Sequence, residues 1–309
     1  MNNVYKILPI YKSFVWGGEK LKKFFNLNTD QKMIGTIYHV ISVPGELDNI
    51  VEETKQPLSI FYKKNRELFG IKHENFPVRM TTTVNEGIQS YQVHPDDKYA
   101  LEHEGQFGKV SGIVSVEESD EVKEILFGNK AKTKAELREL IKNKDWDNLF
   151  KKIEVKEGDF LHTPSGVIHG GYGDGKIKCS FGSNGDVTYR FYDFERNDPE
   201  RPLKIDEVID CVIVPDDEYK PIRVRPIHES GLEIYNYYSR KGEYIAKRLK
   251  CKTEGSFNFD KFMFLTSISG DGFINGCKVS LGETIFIPCN MNSIKIKGNL
   301  DLIMISFEE

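Results

Sequence analysis

Short runs of β-branched and aromatic residues constrain the fold most strongly, because they recur along the chain and predict strands. The clearest runs are "YHVISV" (38–43), "EILFG" (124–128), "DVTYRFYDF" (186–194), "FMFLTSIS" (262–269) and "SIKIKG" (293–298). Asn275-Gly276 lies between two apolar runs, which is typical of a tight β-hairpin. The chain has 309 residues, 39% of them hydrophobic, so it can build one large or two smaller cores. These features predict a mostly β protein.

Three segments predict helices. "TKAELRELIKNKDWDNLFKKI" begins with Thr133 and has Glu136 three residues later, the pattern of a capping box. "LSIFYKKNRELFG" (58–70) ends on a glycine, a typical helix stop. "KIDEVIDCV" (204–212) is a weaker pattern. The first of these predicts a small helical insert at about residues 130–152.

A short pattern, glycine followed by five residues and proline, occurs twice. Gly158–Pro164 reads "GDFLHTP" and Gly282–Pro288 reads "GETIFIP". Only the first is followed by a histidine, His169 in "SGVIH". Two related β units, one with a histidine and one without, predict two lobes with one active lobe. We expect the active lobe at residues 1–200, including the insert, and the second lobe, without metal ligands, at 201–309.

Composition narrows the class of protein. The net charge is −4, from 43 basic and 47 acidic residues, and does not indicate a nucleic-acid or membrane-surface partner. No run approaches the ~18 apolar residues of a membrane span, and no signal peptide is recognisable. The five cysteines are odd in number and lack C-x-x-C spacing, which favours a reducing cytoplasm. We therefore expect a cytoplasmic monomer or homodimer.

Two histidine motifs predict a metal site. In "SYQVHPDD", Gln92 and His94 are two residues apart, so on a strand they share one face with Ser90. A metal site in a β-barrel needs ligands from different strands, and His169 supplies the second strand. Taken alone, either histidine is as well explained by a structural role. The two motifs together predict a metal site.

Arg190 lies in the middle of the strand pattern "TYRFYDF" and shares a predicted face with Thr188 and Tyr192. An arginine in mid-strand is costly to bury unless it is paired or bound to a ligand. From the residues alone, a surface position or a structural salt bridge remains an alternative.

The landmarks "FVWGGEKL", "SYQVHPDD", "FGK", "GDFLHTPSGVIH" and "VTYRFYDFER" occur in this order over nearly the whole chain. Their arrangement resembles the type I mannose-6-phosphate isomerase family, short bacterial class, of the cupin superfamily. The resemblance implies two cupin-like (jelly-roll) β-barrels and a zinc ion, or another divalent metal, held by Gln, His, Glu and His. It also implies a phosphosugar substrate, with mannose 6-phosphate and fructose 6-phosphate interconverted by proton transfer between C1 and C2.

Carried over position by position, the resemblance implies Gln92, His94 and His169 as metal ligands, Arg190 and Lys109 as catalytic residues, and Ser90 and Arg196 as substrate-binding residues. Three positions depart from the pattern. Ser111 stands where the resemblance implies the ligand glutamate, Thr81 where it implies a lysine, and Gly35-Thr36-Ile37-Tyr38 alters an early landmark. The remaining ligand set is neutral and is expected to bind zinc more weakly.

No other residue has convincing spacing for the missing ligand. His162 is expected to be structural, Asp96 and Asp97 to cap a turn, and Glu102 and Glu104 are merely near in sequence. The main interpretation is a metal-dependent aldose-ketose isomerase with a modified metal site. The alternatives are a catalytically inactive cupin that binds sugar phosphates or acts as a regulator, and a cupin that acts on a different small molecule.

Overall fold

A computed structural model describes residues 4–117 and 121–309, and within them the chain is mostly β with short helices. The α-helices are α1 (Lys20–Phe24), α2 (Leu58–Lys64), α3 (Arg66–Phe69), α4 (Asp97–Glu104), α5 (Lys134–Lys142), α6 (Trp146–Leu149) and α7 (Ile205–Cys211), and a 3-10 turn covers Cys289–Met291. No helix in the described ranges is both long enough and apolar enough to cross a membrane. The predicted mostly β fold with a small helical insert is confirmed.

The strands, in chain order, are β1 (Tyr5–Leu8), β2 (Ile10–Gly18), β3 (Ile34–Val40), β4 (Ser42–Val43), β5 (Leu47–Asp48), β6 (Ile50–Val51), β7 (Gln56–Pro57), β8 (Val78–Val84), β9 (Tyr91–Val93), β10 (Ser111–Ser115), β11 (Val122–Asn129), β12 (Phe150–Lys156), β13 (Leu161–Thr163), β14 (Ile177–Ser183), β15 (Tyr189–Tyr192), β16 (Ile227–Glu229), β17 (Leu232–Ser239), β18 (Glu243–Cys251), β19 (Glu254–Asn258), β20 (Met263–Ser269), β21 (Gly272–Ile274), β22 (Cys277–Val279), β23 (Thr284–Ile287), β24 (Ser293–Gly298) and β25 (Leu300–Glu308). Each of the five predicted strand runs overlaps one of these strands, and the hairpin at Asn275-Gly276 joins β21 to β22.

The largest sheet is covered on both faces. Its nine strands have the order β16-β17-β18-β25-β20-β23-β1-β6-β7, and the next sheets are β13-β10-β14-β8-β3-β2 and β19-β24-β21-β22. In β25, Leu302 and Met304 pack into a core shared with the four-stranded sheet, whereas Ile303 and Ile305 pack into a core shared with the six-stranded sheet. Because successive side chains of a strand point to opposite faces, the nine-stranded sheet is the middle layer.

The N-terminal strands take part in this middle layer. β1 pairs with β23 on one side and with β6 on the other, so residues near the start of the chain complete a sheet built largely from residues after 226. The division at residue 200 stays a prediction. The two G-x5-P segments have matching starts, since Gly158 and Gly282 both have φ of +82°, a left-handed conformation that favours glycine.

The helical insert begins as the sequence predicts. The Thr133 hydroxyl accepts a hydrogen bond from the Glu136 backbone N–H at 3.1 Å, and the Glu136 carboxylate accepts one from the Lys132 N–H at 2.7 Å. Leu137 and Ile141 of α5 pack with the apolar face of the two-stranded sheet β9-β15. The insert thereby supports the strand pair that carries Gln92 and Arg190.

Candidate active site

Most of the predicted site residues line one cavity of about 260 Å³. It is lined by five of them, Gln92, His94, Lys109, His169 and Arg190, and also by Ser111 and Thr81. The six-stranded sheet forms one wall, and β9 and β15 form another. The structure therefore brings together the motifs that the sequence separates by as many as 98 positions.

Backbone pairing places Gln92 beside His169. The Gln92 N–H donates to the His169 carbonyl at 2.9 Å, and the His169 N–H donates to the Gln92 carbonyl at 3.0 Å. On the side-chain level, Gln92 Nε2 lies 3.4 Å from His169 Nε2, and the ring centroids of His94 and His169 are 4.9 Å apart. His169, which follows the Pro-Ser-Gly turn, thus lies beside the strand that leads to His94.

Both imidazoles are oriented by backbone carbonyls. His94 Nδ1 donates to the Val187 carbonyl at 3.0 Å, and His169 Nδ1 donates to the Val167 carbonyl at 3.0 Å. A carbonyl only accepts, so in each ring Nδ1 carries the hydrogen and Nε2 keeps its lone pair. This second hydrogen bond is the usual way in which a metal-binding histidine is held.

Burial keeps both histidines neutral. It lowers the pKa of His169 to about 4, and it lowers the pKa of His94 well below the usual range, with a further contribution from the charge of Lys109. Two Nε2 lone pairs and the Gln92 amide oxygen are donors that a divalent ion such as zinc accepts. No group of three or more His, Cys, Asp or Glu side chains lies close enough to hold a metal within the described ranges. The residues therefore fit a neutral, three-donor site.

Lys109 forms a partly buried ion pair in the lining of the cavity. Its Nζ lies 3.0 Å from Asp186 Oδ1, and the Tyr38 hydroxyl donates to Asp186 Oδ2 at 2.7 Å. Burial lowers the pKa of Lys109 to about 8, although Asp186 opposes the shift. Burial also disfavours ionisation of Asp186, but the charges of Lys109 and Arg79 outweigh it and lower the pKa of that carboxyl. An amine with this pKa can both take up and release a proton near neutral pH.

Arg190 is the cross-strand partner of Gln92 and also lines the cavity. Its Nε is buried and has no hydrogen-bond partner among the described residues, and the same is true of Arg201 Nη1. Burial and the neighbouring charge of Arg201 lower the pKa of Arg190 from its ordinary value. Two guanidinium groups with unused donors provide a binding surface for an anionic ligand.

Comparison with known proteins finds relatives that match almost the entire chain. No family model matches. The mannose-6-phosphate isomerase of Streptococcus mutans is 33% identical over 304 residues, which cover 94% of this chain and 93% of that protein. The chain belongs to the mannose-6-phosphate isomerase family. Mannose-6-phosphate isomerase ManA of Bacillus subtilis is 29% identical over 311 residues, covering 96% of each chain.

Solved structures of mannose 6-phosphate isomerases have the same fold. A crystal structure of the enzyme from Bacillus subtilis superposes with a TM-score of 0.89, at 26% identity, covering 98% of this chain and 99% of that one. A zinc-bound mannose 6-phosphate isomerase superposes with a TM-score of 0.75 at 11% identity, covering 99% and 100%. The predicted membership of the mannose-6-phosphate isomerase family is confirmed.

Relative to the pattern implied by the family, the cavity lacks a carboxylate at Ser111. Among the described residues that line the cavity, the carboxylate is that of Asp186. Its two oxygens are already bound by Lys109 and by the Tyr38 hydroxyl. The remaining sequence candidates lie elsewhere: His162 Nδ1 is 3.0 Å from the Tyr244 hydroxyl, and Glu104 accepts from the Tyr189 hydroxyl at 3.0 Å. His162 is structural, as expected.

Ser90 and Arg196 meet at Asp193 and not in the lining of the cavity. The buried Ser90 hydroxyl donates to Asp193 Oδ1, and Arg196 Nη2 lies 2.6 Å from the same oxygen. Arg196 borders a neighbouring cavity of about 640 Å³ beside the helical insert. A role of these two residues in substrate binding stays a prediction, and their contacts favour a role in holding the loop after β15.

Tyr192 does not share a face with Arg190, so that prediction is wrong. The register of β15 shifts between these residues, and Tyr192 pairs with Tyr91. Its ring then packs 4.8 Å from the ring of Trp146 in the helical insert. A β-bulge moves every later side chain to the other face, and a strict period of two does not anticipate it.

Sequence reasoning missed three features of this region: Arg79, Asp186 and helix α4. Asp96 is the N-cap of α4, because its carboxylate accepts from the Tyr99 N–H at 2.8 Å. The turn expected at Asp96 and Asp97 is thus the start of a helix. The available signal was an Asp followed by helix-forming residues up to Gly105.

Proposed function

We propose that the protein is an isomerase that interconverts mannose 6-phosphate and fructose 6-phosphate. The observation that carries the proposal is the shared cavity, in which a buried lysine with a lowered pKa faces two neutral histidines and two arginines with unused donors. Family membership over nearly the full chain supports the same reaction. Five cysteines without disulfides support a reducing, cytoplasmic location.

The reaction moves a proton between C1 and C2 of the open-chain sugar phosphate. In the proposed assignment, Lys109 takes the proton from one carbon as the neutral amine and returns it to the other, while Asp186 holds the ammonium form between these events. The hydroxyl proton passes from one of the two oxygens to the other. The C–H electron pair forms the C1–C2 double bond, and the carbonyl π pair moves to the carbonyl oxygen. The Arg190 guanidinium donates hydrogen bonds to the negative charge that develops there.

Gln92, His94 and His169 are proposed to hold a divalent metal. When bound, such an ion supplies Lewis-acid polarisation of the substrate carbonyl. The carbonyl contacts of the two Nδ1 atoms support this assignment, because they place the ring hydrogen on Nδ1 and the lone pair on Nε2 without an added charge. Ser111 provides a hydroxyl and no charge, so the site is expected to hold its metal more weakly than one with a carboxylate.

A protein that binds sugar phosphates without converting them is the second candidate function. Ser111 favours it, because loss of a ligand carboxylate is a direct way to weaken a metal-dependent reaction. The retained Lys109, His94 and His169 oppose it, since binding alone does not require a buried amine beside two neutral imidazoles.

The first experiment measures formation of fructose 6-phosphate from mannose 6-phosphate, together with metal content by elemental mass spectrometry after dialysis. We expect turnover and about one divalent ion per chain, with the ion lost in His169→Ala. Lys109→Met should lower kcat by on the order of 100-fold or more. Lys151→Met is the matched control, because Lys151 pairs with Glu218 away from the cavity. If the protein binds the sugar phosphate but does not convert it when zinc, manganese or iron is added, the second candidate is established instead.

A further inference from the structure

Arg79 is a buried cation that the proposed reaction has not used. It lies on β8, lines the 260 Å³ cavity and is only 3% exposed. Its Nε and Nη2 atoms are buried and have no hydrogen-bond partner among the described residues. Buried donors are almost always paired in folded proteins, and a buried charge without a partner is costly. This residue therefore points to a ligand.

Sheet pairing directs Arg79 toward the position of the missing carboxylate. Arg79 of β8 pairs with Gly182 of β14, and Gly182 pairs with Ser111 of β10. Residues directly opposite each other in antiparallel strands point to the same face, so Arg79 and Ser111 are two strand spacings apart, roughly 10 Å, on one wall. Gly182 has no side chain to separate them.

Strand position places Arg79 and Arg190 on different walls of the cavity. Arg79 lies on β8 of the six-stranded sheet, whose strand β10 begins at Ser111, two residues after Lys109. Arg190 lies on β15, where it pairs with Gln92 of β9. Arg79 is therefore on the wall that carries Ser111, and Arg190 is on the wall that carries Gln92.

Asp186 is the one carboxylate near the two cations Arg79 and Lys109 in the described lining, and it forms no hydrogen bond with Arg79. One of its oxygens is bound by Lys109 and the other by the Tyr38 hydroxyl. Six cations and one carboxylate line the described cavity: Lys12, Arg79, Lys109, Lys178, Arg190, Arg201 and Asp186. The described lining as a whole thus has more positive than negative groups before a ligand arrives, although Lys178 also pairs with Asp174 at 2.8 Å. Such a lining suits a group that becomes an anion during the reaction.

We propose that Arg79 is a further catalytic residue, whose free donors bind the oxygen that becomes negatively charged at C1 or C2 of the sugar phosphate. The identity of the sugar rests on the proposed function, whereas the anion site itself does not. As the base removes the proton, the C–H electron pair forms the C1–C2 double bond and the carbonyl π pair moves to oxygen. Arg79 donates hydrogen bonds to this oxygen, which then takes up the hydroxyl proton from the oxygen on the neighbouring carbon. As the double-bond pair takes up a proton at the other carbon, an electron pair of that neighbouring oxygen forms the new carbonyl.

The test compares binding of two non-reacting analogues by isothermal calorimetry. Arabinonate 5-phosphate places a carboxylate where the C1 and C2 oxygens lie, and mannitol 6-phosphate keeps the phosphate with neutral hydroxyls. In Arg79→Gln we expect the Kd of the carboxylate analogue to rise by about 10- to 100-fold, as for loss of a charged hydrogen bond. The Kd of mannitol 6-phosphate should change by less than about threefold. Equal losses for both analogues, or no loss for either, would overturn the proposal.

A stability measurement separates this role from a structural one. Removing a buried charge that has no partner should leave the thermal midpoint of ligand-free Arg79→Met unchanged or raised. The matched control is Arg248→Met, because Arg248 is 7% exposed and holds Asp301 with two hydrogen bonds of 2.8 and 2.7 Å. That control should lower the midpoint. A similar loss in Arg79→Met would assign Arg79 to the fold and refute the proposal.

These measurements remain informative if the isomerase reaction fails. A protein without turnover that still loses carboxylate binding in Arg79→Gln has the anion site but not the proposed function. A protein with full turnover and unchanged analogue binding in Arg79→Gln has the function without this residue.

Discussion

At the scale of single residues, Ser111 is proposed to set how strongly the cavity holds a metal. It lines the cavity with Gln92, His94 and His169, and this set carries no charge. The carboxylate in the described lining, Asp186, is bound to Lys109 and Tyr38. A charged residue at position 111 would therefore add a negative charge to a neutral set.

Ser111→Glu is therefore expected to tighten zinc binding by about tenfold or more, because a carboxylate adds a negative ligand to a neutral set. The affinity is measured by zinc titration in a calorimeter. Ser111→Gln is the control, since it has the same length and no charge. If Glu at 111 instead pairs with Arg79, the protein will gain thermal stability and zinc affinity will not change, which would contradict this prediction.

His39 makes the stability of the protein depend on pH. It is fully buried on β3, its Nε2 lies 2.8 Å from the Thr82 hydroxyl, and burial lowers its pKa to about 3. In the unfolded chain this histidine binds a proton near its ordinary pKa of 6.5. In the native chain it binds the proton only as the pH approaches 3. Its contribution to stability is therefore complete above pH 6.5 and is lost as the pH falls toward 3.

Between pH 7 and pH 4.5 this histidine should account for about 2 to 3 kcal/mol of lost unfolding free energy. Denaturant unfolding at both pH values measures the loss, and His39→Gln should lack that part of it. The exposed His228 provides the control substitution, His228→Gln. An unchanged pH dependence in His39→Gln would show that other groups cause the loss.

At the scale of secondary-structure elements, the strand pair β9-β15 and the helices behind it act as one unit. Tyr91 of β9 packs against Trp146 and Phe150 with ring centroids 5.3 and 4.7 Å apart. The same strand presents Gln92 to the cavity on its other face. The insert therefore fixes the position of a proposed ligand without contacting the cavity itself.

Thr133→Ala should lower the unfolding free energy by about 1 kcal/mol, because it removes the side-chain cap of α5. Thr133→Ser keeps the hydroxyl and should behave like the wild type. Since α5 supports β9 from behind, we expect little change in turnover at 25 °C and a small loss in thermal midpoint, both measured on the same samples. An unchanged midpoint would mean that tertiary contacts hold α5 without its cap.

At the scale of the whole molecule, the nine-stranded sheet joins residues from both ends of the chain in one aromatic core. Phe286 of β23 is fully buried and stacks on Phe69 of α3 with ring centroids 4.5 Å apart. Phe61 and Tyr5, which like Phe69 come from the first part of the chain, also contact the ring of Phe286. A sheet with both faces covered and strands from both ends of the chain should unfold together with its neighbours.

Phe286→Ala should lower the unfolding free energy by about 3 to 5 kcal/mol. Both tryptophans, Trp16 and Trp146, lie in the first half of the chain, so their fluorescence reports on that half. We expect the fluorescence and circular dichroism transitions to shift together. Phe273→Ala, at a position 49% exposed in the same half of the chain as Phe286, is the control. Separate transitions in Phe286→Ala would show that the two halves unfold independently.

The sequence by itself determined the local features. β-branched runs, the Asn275-Gly276 turn and the Thr133 cap depend on neighbouring residues alone, and all three are in the structure. The spacing of Gln92 and His94 on one strand belongs to the same class, because alternation along a strand is local geometry.

Only the tertiary structure decided which distant residues meet. Arg79, Gly182 and Ser111 become neighbours through two strand pairings, and Asp186 reaches Lys109 across 77 positions. Burial also depends on the whole fold, so the free donors of Arg79 and the lowered pKa of Lys109 have no local signal in the sequence. Long-range pairing and burial are properties of the packed chain, and they give this cavity its surplus of positive charge.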